Sequence, residues 1–537
     1  MLKQESVTDS PQHLSPRRRV QYFDFALLAI LLLAVYFRAQ YLDLPMAEAH
    51  RWREVTNSDI ARQFYERSMN IIFPQVNWGG DANPYVGMEF PLMHWIVAAI
   101  YHVTGEQAIV GRLLSMTFSV GSVWAVYMLG TFLFGAPAGR GAAFFMAISP
   151  SSIFFGRFFI SDTPMVFFSV VGLLGWVVYL ETRSTAACLV GTVGTALAFL
   201  VKIPAVMLMA PIAWAAWERD RWKALTDKRL MGGCVAAFLA MVLWYWWADY
   251  IYHWTGLSEA IWHPSGTYPP PISLATGRFS TISHWATRAD LTDPSFYTDM
   301  ITRTWALHLT AGGFILGLFA LLALWRWPRR HVVDAWLGVG ALFVLVTATG
   351  NRHHEFHQLP LIPPAALLAG LAAMPAFDGR WLTERGGRVL GVAGSAAALA
   401  AVAWLSFQYS GVVPGFFRPG GLDWLPIHAG QGIAQVVEPD ALIVTVEYGE
   451  FGNNSAILLY WAHRRGWSFD QISITPHVVE LLRKDYHARY FATTQWTDLA
   501  KAHPDLVAYL ATKSQVAIPG NPRDTVLFNL SAAAPAP

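Results

Sequence analysis

Long apolar runs separated by short polar stretches dominate the chain as far as residue 408. Each run is about 15 to 25 residues long, which suits α-helices that cross a hydrocarbon core about 30 Å thick. The pattern predicts a polytopic α-helical membrane protein with about eleven spans. The predicted spans are 23–42, 110–134, 141–160, 163–181, 186–201, 203–217, 231–252, 304–325, 332–349, 359–377 and 389–408.

One apolar stretch, FPLMHWIVAAIYHVT at residues 90–104, is short for a crossing and is predicted to lie along the interface as a helix. Arg17, Arg18 and Arg19 precede the first span, so the positive-inside rule predicts a cytoplasmic N-terminus. With an interfacial 90–104 helix, the basic loops all fall on the cytoplasmic side. Those loops lie around Arg140, Arg183, 219–229, 326–331 and 380–388.

The pattern changes after about residue 411, where short strands alternate with amphipathic helices. Strands are predicted at 441–448 and 488–494, helices at 456–466 and 477–487, and a strand pair with a turn at 515–530. This alternation indicates a small α/β domain. The chain is therefore divided into a disordered cytoplasmic tail 1–22, a transmembrane module 23–410 with an outer loop 43–109, and an extracytoplasmic α/β domain 411–537.

Composition agrees with the membrane assignment. The 537 residues are 54% hydrophobic and 14% charged, against roughly 25% charged in an average soluble protein. A net charge of +2 predicts no nucleic-acid partner. The two cysteines, Cys188 and Cys234, lie in apolar runs and indicate packing rather than a disulfide or zinc framework.

The predicted threading places most of the unusual ionisable residues at one membrane face. Such residues at membrane depth are costly and therefore mark functional sites. In the outer loop, Glu54 could accept a proton from a hydroxyl, with Arg53 holding an anion or orienting the acid, and Asp59 is a second candidate base. An interfacial ion pair is the alternative reading of Glu54.

Three further charged residues stand at the ends of predicted helices on that face. Glu89 could bind a metal ion or a sugar hydroxyl, or simply start a helix. Asp162 could be catalytic, with Arg157 nearby, or could cap the span at 163–181. Lys202 interrupts an apolar run and could hold a lipid phosphate, or its side chain could snorkel to the membrane surface.

The sequence NRHHEFHQ at 351–358 brings several polar side chains to the start of a span. Arg352, His354, Glu355 and His357 are predicted to bind substrate through sugar or phosphate oxygens. Metal binding is the alternative, and a divalent ion is considered at Glu89, Asp162 and His354. No other cofactor is predicted.

In these motifs the sequence resembles the GT-C glycosyltransferases that use polyprenyl-phosphate sugars, especially the bacterial aminoarabinose transferase and protein O-mannosyltransferase branch. The resemblance covers roughly residues 20–410. It rests on the order of an acidic outer loop leading to IAR, then MEFPL, SDTPM, LVKIP and HEFHQLPLIPP. Relatives usually carry an Asp-Glu pair where this chain has Arg53-Glu54, a departure that brings Asp59 forward as the base.

The resemblance implies a membrane enzyme that moves a sugar from a polyprenyl-phosphate donor to a hydroxyl of a lipid, glycan or protein acceptor, with membrane lipids around it. It also implies a multi-pass protein of the bacterial inner membrane, acting at the extracytoplasmic face. Two other classes stay open: a transporter or flippase of lipids or lipid-linked sugars, which predicts inverted repeats and mid-membrane charges, and a non-catalytic membrane scaffold.

Overall fold

A computed structural model describes residues 24–80, 84–260, 263, 272, 284–378, 400, 422–447, 455–520 and 522–534. The predicted tail 1–22 lies outside these residues, as does nearly all of the predicted span 389–408.

The first half of the chain is helical, as its apolar runs predict. Its helices are α1 Phe25–Ala39, α2 Arg51–Glu66, α3 Leu92–Thr104, α4 Ala108–Phe134, α5 Ala136–Ile148, α6 Pro150–Phe154, α7 Asp162–Thr182, α8 Thr185–Val201, α9 Met209–Asp220 and α10 Lys228–Thr255. The next are α11 Arg288–Thr292, α12 Pro294–Arg303, α13 Thr310–Ala323, α14 Arg330–Val346, α15 Ala348–His353, α16 Ile362–Ala372 and α17 Met374–Asp378.

Three helices in the described ranges, α4, α7 and α10, are long and apolar enough to cross a membrane. The segments Pro294–His308 and Thr310–Ala323 add a fourth if this pair, bent by 112°, counts as one span. Shorter apolar helices are α1, α3 and α8. The protein therefore has helices suited to a membrane, while the count of about eleven spans stays a prediction.

Several predicted spans are interrupted in the structure. The predicted span 141–160 breaks at Ser149, whose hydroxyl caps the short helix α6 by accepting from the Ser152 amide. The predicted span 203–217 begins with a 3₁₀ turn at Ile203–Leu208, and another 3₁₀ turn at Glu355–Leu361 precedes α16. Proline lies at the start or inside each of these turns, where it removes a backbone donor. The breaks bring polar backbone and side chains to the ends of the bundle.

Helices α7 and α8 pack very closely through glycines. A Cβ added at Gly175 would lie 2.3 Å from the backbone nitrogen of Gly191, so a side chain has no room there. Small residues of this kind let helix backbones approach in membranes. This contact fixes the start of α7 beside the end of α8, where Asp162 and Lys202 lie.

The C-terminal part contains a five-stranded sheet in the order β2-β1-β3-β5-β4. β1–β2 and β1–β3 are parallel, while β3–β5 and β4–β5 are antiparallel. The strands are β1 Leu442–Val446, β2 Arg465–Phe469, β3 Ala488–Thr493, β4 Lys513–Gln515 and β5 Val526–Ala533; the helices are α18 Leu425–Val436, α19 Ile457–Ala462, α20 Pro476–Asp485, α21 Trp496–Ala502 and α22 Pro504–Leu510.

The outer loop packs directly on this sheet. The Gly80 amide donates to the Gly466 carbonyl at 2.8 Å, and the Gly466 amide donates to the Asn77 carbonyl at 3.0 Å, so the loop extends the sheet beside β2. Trp52, Val55 and Trp78 share one buried apolar cluster with residues of β1, β2 and β3. The outer loop and the C-terminal sheet therefore share one core in this structure.

Candidate functional site

A polar cleft lies between α2, the loop before α3, and the facing ends of α7 and α8. The space between its walls is about 440 Å³ when its open mouth is included. Its walls include both charged and apolar side chains, and they come from distant parts of the sequence. The lining residues are Arg53, Asn57, Ile60, Met88, Glu89, Ile160, Ser161, Asp162, Lys202, Glu259 and His357.

Lys202 and Asp162 form a buried ion pair at the base of this cleft. Lys202 follows the last residue of α8 in an extended conformation, and its Nζ also lies 5.3 Å from the centre of the Phe356 ring. Asp162 is the first residue of α7. Burial strengthens the attraction between the two charges but also removes their hydration. The lysine is thus a fixed cation that an incoming anion could engage.

A second, narrow cavity lies on the other side of this pair, with about 330 Å³ of space between its walls when its open mouth is included. Asp162, Lys202 and His357 line both cavities. The rest of the second cavity is largely apolar, and its remaining lining residues are Met165, Pro204, His284, Phe343, Thr347 and Pro360. The ion pair therefore separates a polar space from an apolar one.

Glu89 is held in the cleft by backbone contacts of the loop around it. The Phe90 amide donates to the Leu200 carbonyl at 3.0 Å, next to Lys202, and the Gly87 amide donates to the Leu257 carbonyl at 3.0 Å. The Glu89 side chain is buried. Burial raises the pKa of Glu89, and the positive charges of Lys202 and Arg53 offset this effect only in part.

Arg53 and Glu259 form an ion pair across the cleft, with Nη1 of Arg53 3.0 Å from Oε2 of Glu259. Arg53 also lies over the Trp52 ring at 4.3 Å. The Glu259 amide donates to the Gly87 carbonyl at 3.0 Å, so the same backbone contacts that hold Glu89 also position this glutamate. Glu259 was not predicted from the sequence, because it follows α10 without a motif around it.

Glu54, the first candidate base, does not line the cleft. It is 1% exposed, and its two oxygens each accept a hydrogen bond of 2.7 Å from the Arg112 guanidinium. Arg112 also donates to the Leu44 carbonyl at 2.6 Å. Glu54 therefore forms an ion pair, which was the alternative interpretation of this residue from the sequence.

Arg157 joins the same buried network rather than the cleft. Its guanidinium donates to both oxygens of Glu48, at 2.7 and 2.6 Å, and Glu48 lies 3.4 Å from Arg112. Two arginines from the helical bundle, Arg112 and Arg157, are therefore paired with two glutamates of the outer loop, Glu48 and Glu54. Arg112 was not predicted from the sequence, although an arginine inside an apolar run marks a functional or structural role.

Asp59, the second candidate base, also faces away from the cleft. Its Oδ2 accepts from the Asn77 amide at 2.8 Å, and its Oδ1 accepts from Nε2 of Gln63 at 2.9 Å. Burial raises the pKa of Asp59 to about 6. The hydrogen bond from the Asn77 amide and the charge of Arg62 lower this pKa, but they only partly offset the effect of burial. Asp59 thus ties α2 to the strand-like segment that extends the sheet.

The cluster at residues 351–358 divides between the cleft and its surroundings. His357 lines the cleft, whereas Arg352 pairs with Asp293 at 2.8 Å. Nε2 of His50 lies 3.0 Å from Oε2 of Glu355, and although burial alone raises the pKa of Glu355, contact with His50 holds it at about 2.

The histidines beside the cleft are held neutral. Burial lowers the pKa of His354 to about 2 and that of His284 to about 4, and the charge of Arg53 adds to both shifts. The rings of His284 and His354 both lie 5.3 Å from that of His357. Neutral imidazoles are suited to hydrogen bonding with hydroxyl groups.

Glu89 and Asp162 share the cleft, but His354 does not line it. Over the described ranges, no group of three or more His, Cys, Asp or Glu side chains is arranged to hold a metal ion. The structure therefore does not assemble the three predicted metal ligands into a metal site.

Comparison with known proteins places this geometry in context. The family model described as dolichyl-phosphate-mannose-protein mannosyltransferase matches residues 86–247, which include Glu89, Asp162 and Lys202. No curated protein sequence matches the chain significantly.

Solved structures match nearly the whole chain. ArnT from Cupriavidus metallidurans bound to undecaprenyl phosphate is 13% identical, with a TM-score of 0.63, covering 95% of this chain and 99% of that one. The oligosaccharyltransferase AglB from Archaeoglobus fulgidus, in complex with an inhibitory peptide and a dolichol-phosphate, is 12% identical, with a TM-score of 0.54, covering 91% and 72%. An Archaeoglobus fulgidus oligosaccharyltransferase in complex with Zn and sulfate is 13% identical, with a TM-score of 0.53, covering 91% and 71%. The predicted resemblance to the GT-C glycosyltransferases is confirmed, and the fold is theirs.

Proposed function

We propose that the chain is a membrane glycosyltransferase that moves a sugar from a polyprenyl-phosphate carrier to an acceptor hydroxyl, at the extracytoplasmic face of a bacterial inner membrane. The observation that carries the proposal is the position of Lys202, at the boundary between a polar cleft and an apolar cavity. A lipid phosphate needs such a boundary, because its charge and its hydrocarbon tail require opposite surroundings.

Lys202 is the group we assign to the donor phosphate. Its ammonium faces both cavities, and its pairing with Asp162 keeps the charge compensated before the lipid arrives. As the bond between the anomeric carbon and the phosphate oxygen breaks, the phosphate takes the electron pair, and a positioned cation stabilises the charge that develops. The apolar cavity at Met165, Pro204 and Phe343 would receive the first part of the lipid chain.

Glu89 is the carboxylate we assign as the proton acceptor, in place of Glu54. It lines the cleft, and burial raises the pKa of Glu89 toward the range in which a carboxylate is an effective base. In the proposed step the acceptor hydroxyl gives its proton to Glu89, and its oxygen bonds to the anomeric carbon. Glu54 would act as a positioning residue, since it holds α2, which carries Arg53 and Asn57 into the cleft.

The remaining polar groups of the cleft would orient the sugar and the acceptor. Asn57, Glu259 and the neutral imidazole of His357 provide donors and acceptors at its walls. The packing of the C-terminal sheet on the outer loop suggests that this sheet helps to shape the approach of the acceptor. No reaction step in this proposal requires a metal ion, and the metal prediction gains no support from the described residues.

The test is the release of lipid phosphate by the purified full-length chain from a panel of undecaprenyl-phosphate sugars. We expect release to depend on an acceptor, and to fall by about 10²–10⁴-fold in Glu89→Gln and about 10²–10³-fold in Lys202→Met. Matched controls are Glu181→Gln, at the opposite end of α7, and Lys501→Met, on the exposed side of α21. Full release by both cleft variants would refute the assignment. Movement of an intact lipid-linked sugar across vesicles, without its cleavage, would favour a flippase instead.

A further inference from the structure

A large apolar groove lies at the end of the helical bundle opposite the cleft. It has a volume of about 1120 Å³, including its open mouth, and it is formed by α9, the 3₁₀ turn Arg221–Thr226 and the start of α10. Helix α10 has 28 residues, a length of about 42 Å, and its other end lies beside Gly87 and Glu89. The groove residues Leu230, Met231 and Cys234 lie near the start of α10, whereas Trp244, whose Nε1 donates to the Met88 carbonyl at 3.0 Å, lies about 15–21 Å further along this helix, next to the loop that carries Glu89.

The shape of the groove suits a flexible chain. Its lining includes three alanines of α9, Ala210, Ala213 and Ala216, which we call the alanine floor, and the aromatic side chains of Trp214 and Trp222. Trp222 is 72% exposed, which is costly in water but usual for tryptophan at the membrane interface. The small alanine side chains among larger apolar ones leave room for an acyl chain.

The charges at its mouth are not balanced. Arg221 lines the groove, Lys223 and Lys228 follow in the adjoining segment, and none of the three has an ion pair in the part of the chain that the structure describes. The nearby acids are already engaged, since Asp220 and Asp227 both pair with Arg183.

Glu218, the remaining acid on this stretch, accepts a hydrogen bond of 2.9 Å from Nε1 of Trp214. This bond leaves the charge of Glu218 in place, but residues 218–229 still carry five basic side chains against three acidic ones, so the segment has an excess of cations next to an apolar space. Charge complementarity selects an occupant with an anionic head and a hydrocarbon tail.

We propose that this groove binds one anionic phospholipid, with an acyl chain over the alanine floor and the phosphate at Arg221 and Lys223. The site is separate from the cleft, and it does not depend on the proposed enzymatic function. Bound lipid would fill the space between α9 and α10 and so fix the 3₁₀ turn that joins them.

The experiment is native mass spectrometry of the full-length chain, released from nanodiscs that contain equal amounts of phosphatidylglycerol and phosphatidylcholine with identical acyl chains. We expect the wild-type chain to retain one phosphatidylglycerol, with a preference of at least tenfold over phosphatidylcholine. Each cation contributes about fivefold to binding of an anionic lipid, so Arg221→Gln with Lys223→Gln removes the preference.

Two further variants keep the test decisive. Ala213→Phe fills the floor and should abolish retention of both lipids, while its thermal unfolding in detergent shows that it has folded. Arg326→Gln is the matched control, because Arg326 lies 4.5 Å over the Trp325 ring but outside the groove, and it should retain the lipid fully.

Equal retention of both lipids by the wild-type chain would overturn the proposal, as would equal loss in Arg326→Gln. Retention of lipid by a folded Ala213→Phe chain would also overturn it. If the wild-type chain is detected as a dimer without lipid, and Ala213→Phe converts that dimer to monomers, the groove is occupied by a second copy of the chain instead.

Discussion

Replacing Glu54 by glutamine separates a structural from a catalytic role for this residue. Glu54 is 1% exposed and Arg112 is 0% exposed, so the substitution leaves a buried guanidinium without its main counter-charge. Breaking such a buried pair from one side costs about 3–5 kcal/mol. With an unfolding entropy of about 2.1 cal/mol/K per residue, 537 residues give roughly 1.1 kcal/mol/K, and the Tm should fall by about 3–4 °C.

The assay combines thermal unfolding in detergent with release of lipid phosphate per folded molecule. We expect Glu54→Gln to lose stability as calculated while its turnover rate falls less than tenfold, because Arg53 and Asn57 on the same helix stay near the cleft. Glu54→Asp keeps the charge and should recover much of the lost Tm. An unchanged Tm together with a turnover rate reduced at least a hundredfold in Glu54→Gln would instead identify Glu54 as the base.

Three more predictions concern the outer loop and the cleft. Because the native state keeps the proton of Asp59 up to about pH 6, while an unfolded chain loses it near pH 4, stability should fall as pH rises through this window. Asp59→Asn should remove that slope, worth up to about 3 kcal/mol, in a series of Tm measurements from pH 4 to 7. Gly80 has φ +75°, and a Cβ added there would lie 2.3 Å from the Trp467 ring. Gly80→Ala should therefore lower the Tm and increase protease cleavage of the outer loop. An unchanged Tm and an unchanged cleavage rate would disprove the packing of this loop on the sheet. The charge of Arg53 lowers the pKa of Glu89. Arg53→Gln should therefore move the acidic limb of the plot of kcat/KM against pH to higher pH. An acidic limb that does not move would exclude Glu89 as the base.

The sequence was most informative where a pattern is local. The strands at β1 and β3 and the helix α20 agree with the predicted elements, because alternation and amphipathic spacing depend only on neighbouring residues. Strand β2, at Arg465–Phe469, was missed: the apolar run before it reads as a helix that continues to residue 466, whereas the helix ends at Ala462, followed by His463 in the left-handed region.

The candidate site was predicted in part, for a physical reason. Glu89, Asp162, Lys202 and Arg53 could be named because charges beside apolar runs are conspicuous, and the structure brings all four into one cleft. Whether a carboxylate is available or already paired depends instead on contacts distant in sequence. Arg112 lies 58 residues from Glu54, and no local pattern reveals that pair.

The most direct measurement is a cryo-electron microscopy map of the full-length chain in nanodiscs with undecaprenyl phosphate. We expect phosphate density against the ammonium of Lys202, with the first isoprene units in the apolar cavity beside Met165 and Phe343 and the phosphate open toward Glu89. Phosphate density elsewhere, with the ion pair of Lys202 and Asp162 unchanged, would show that Lys202 does not bind the donor phosphate.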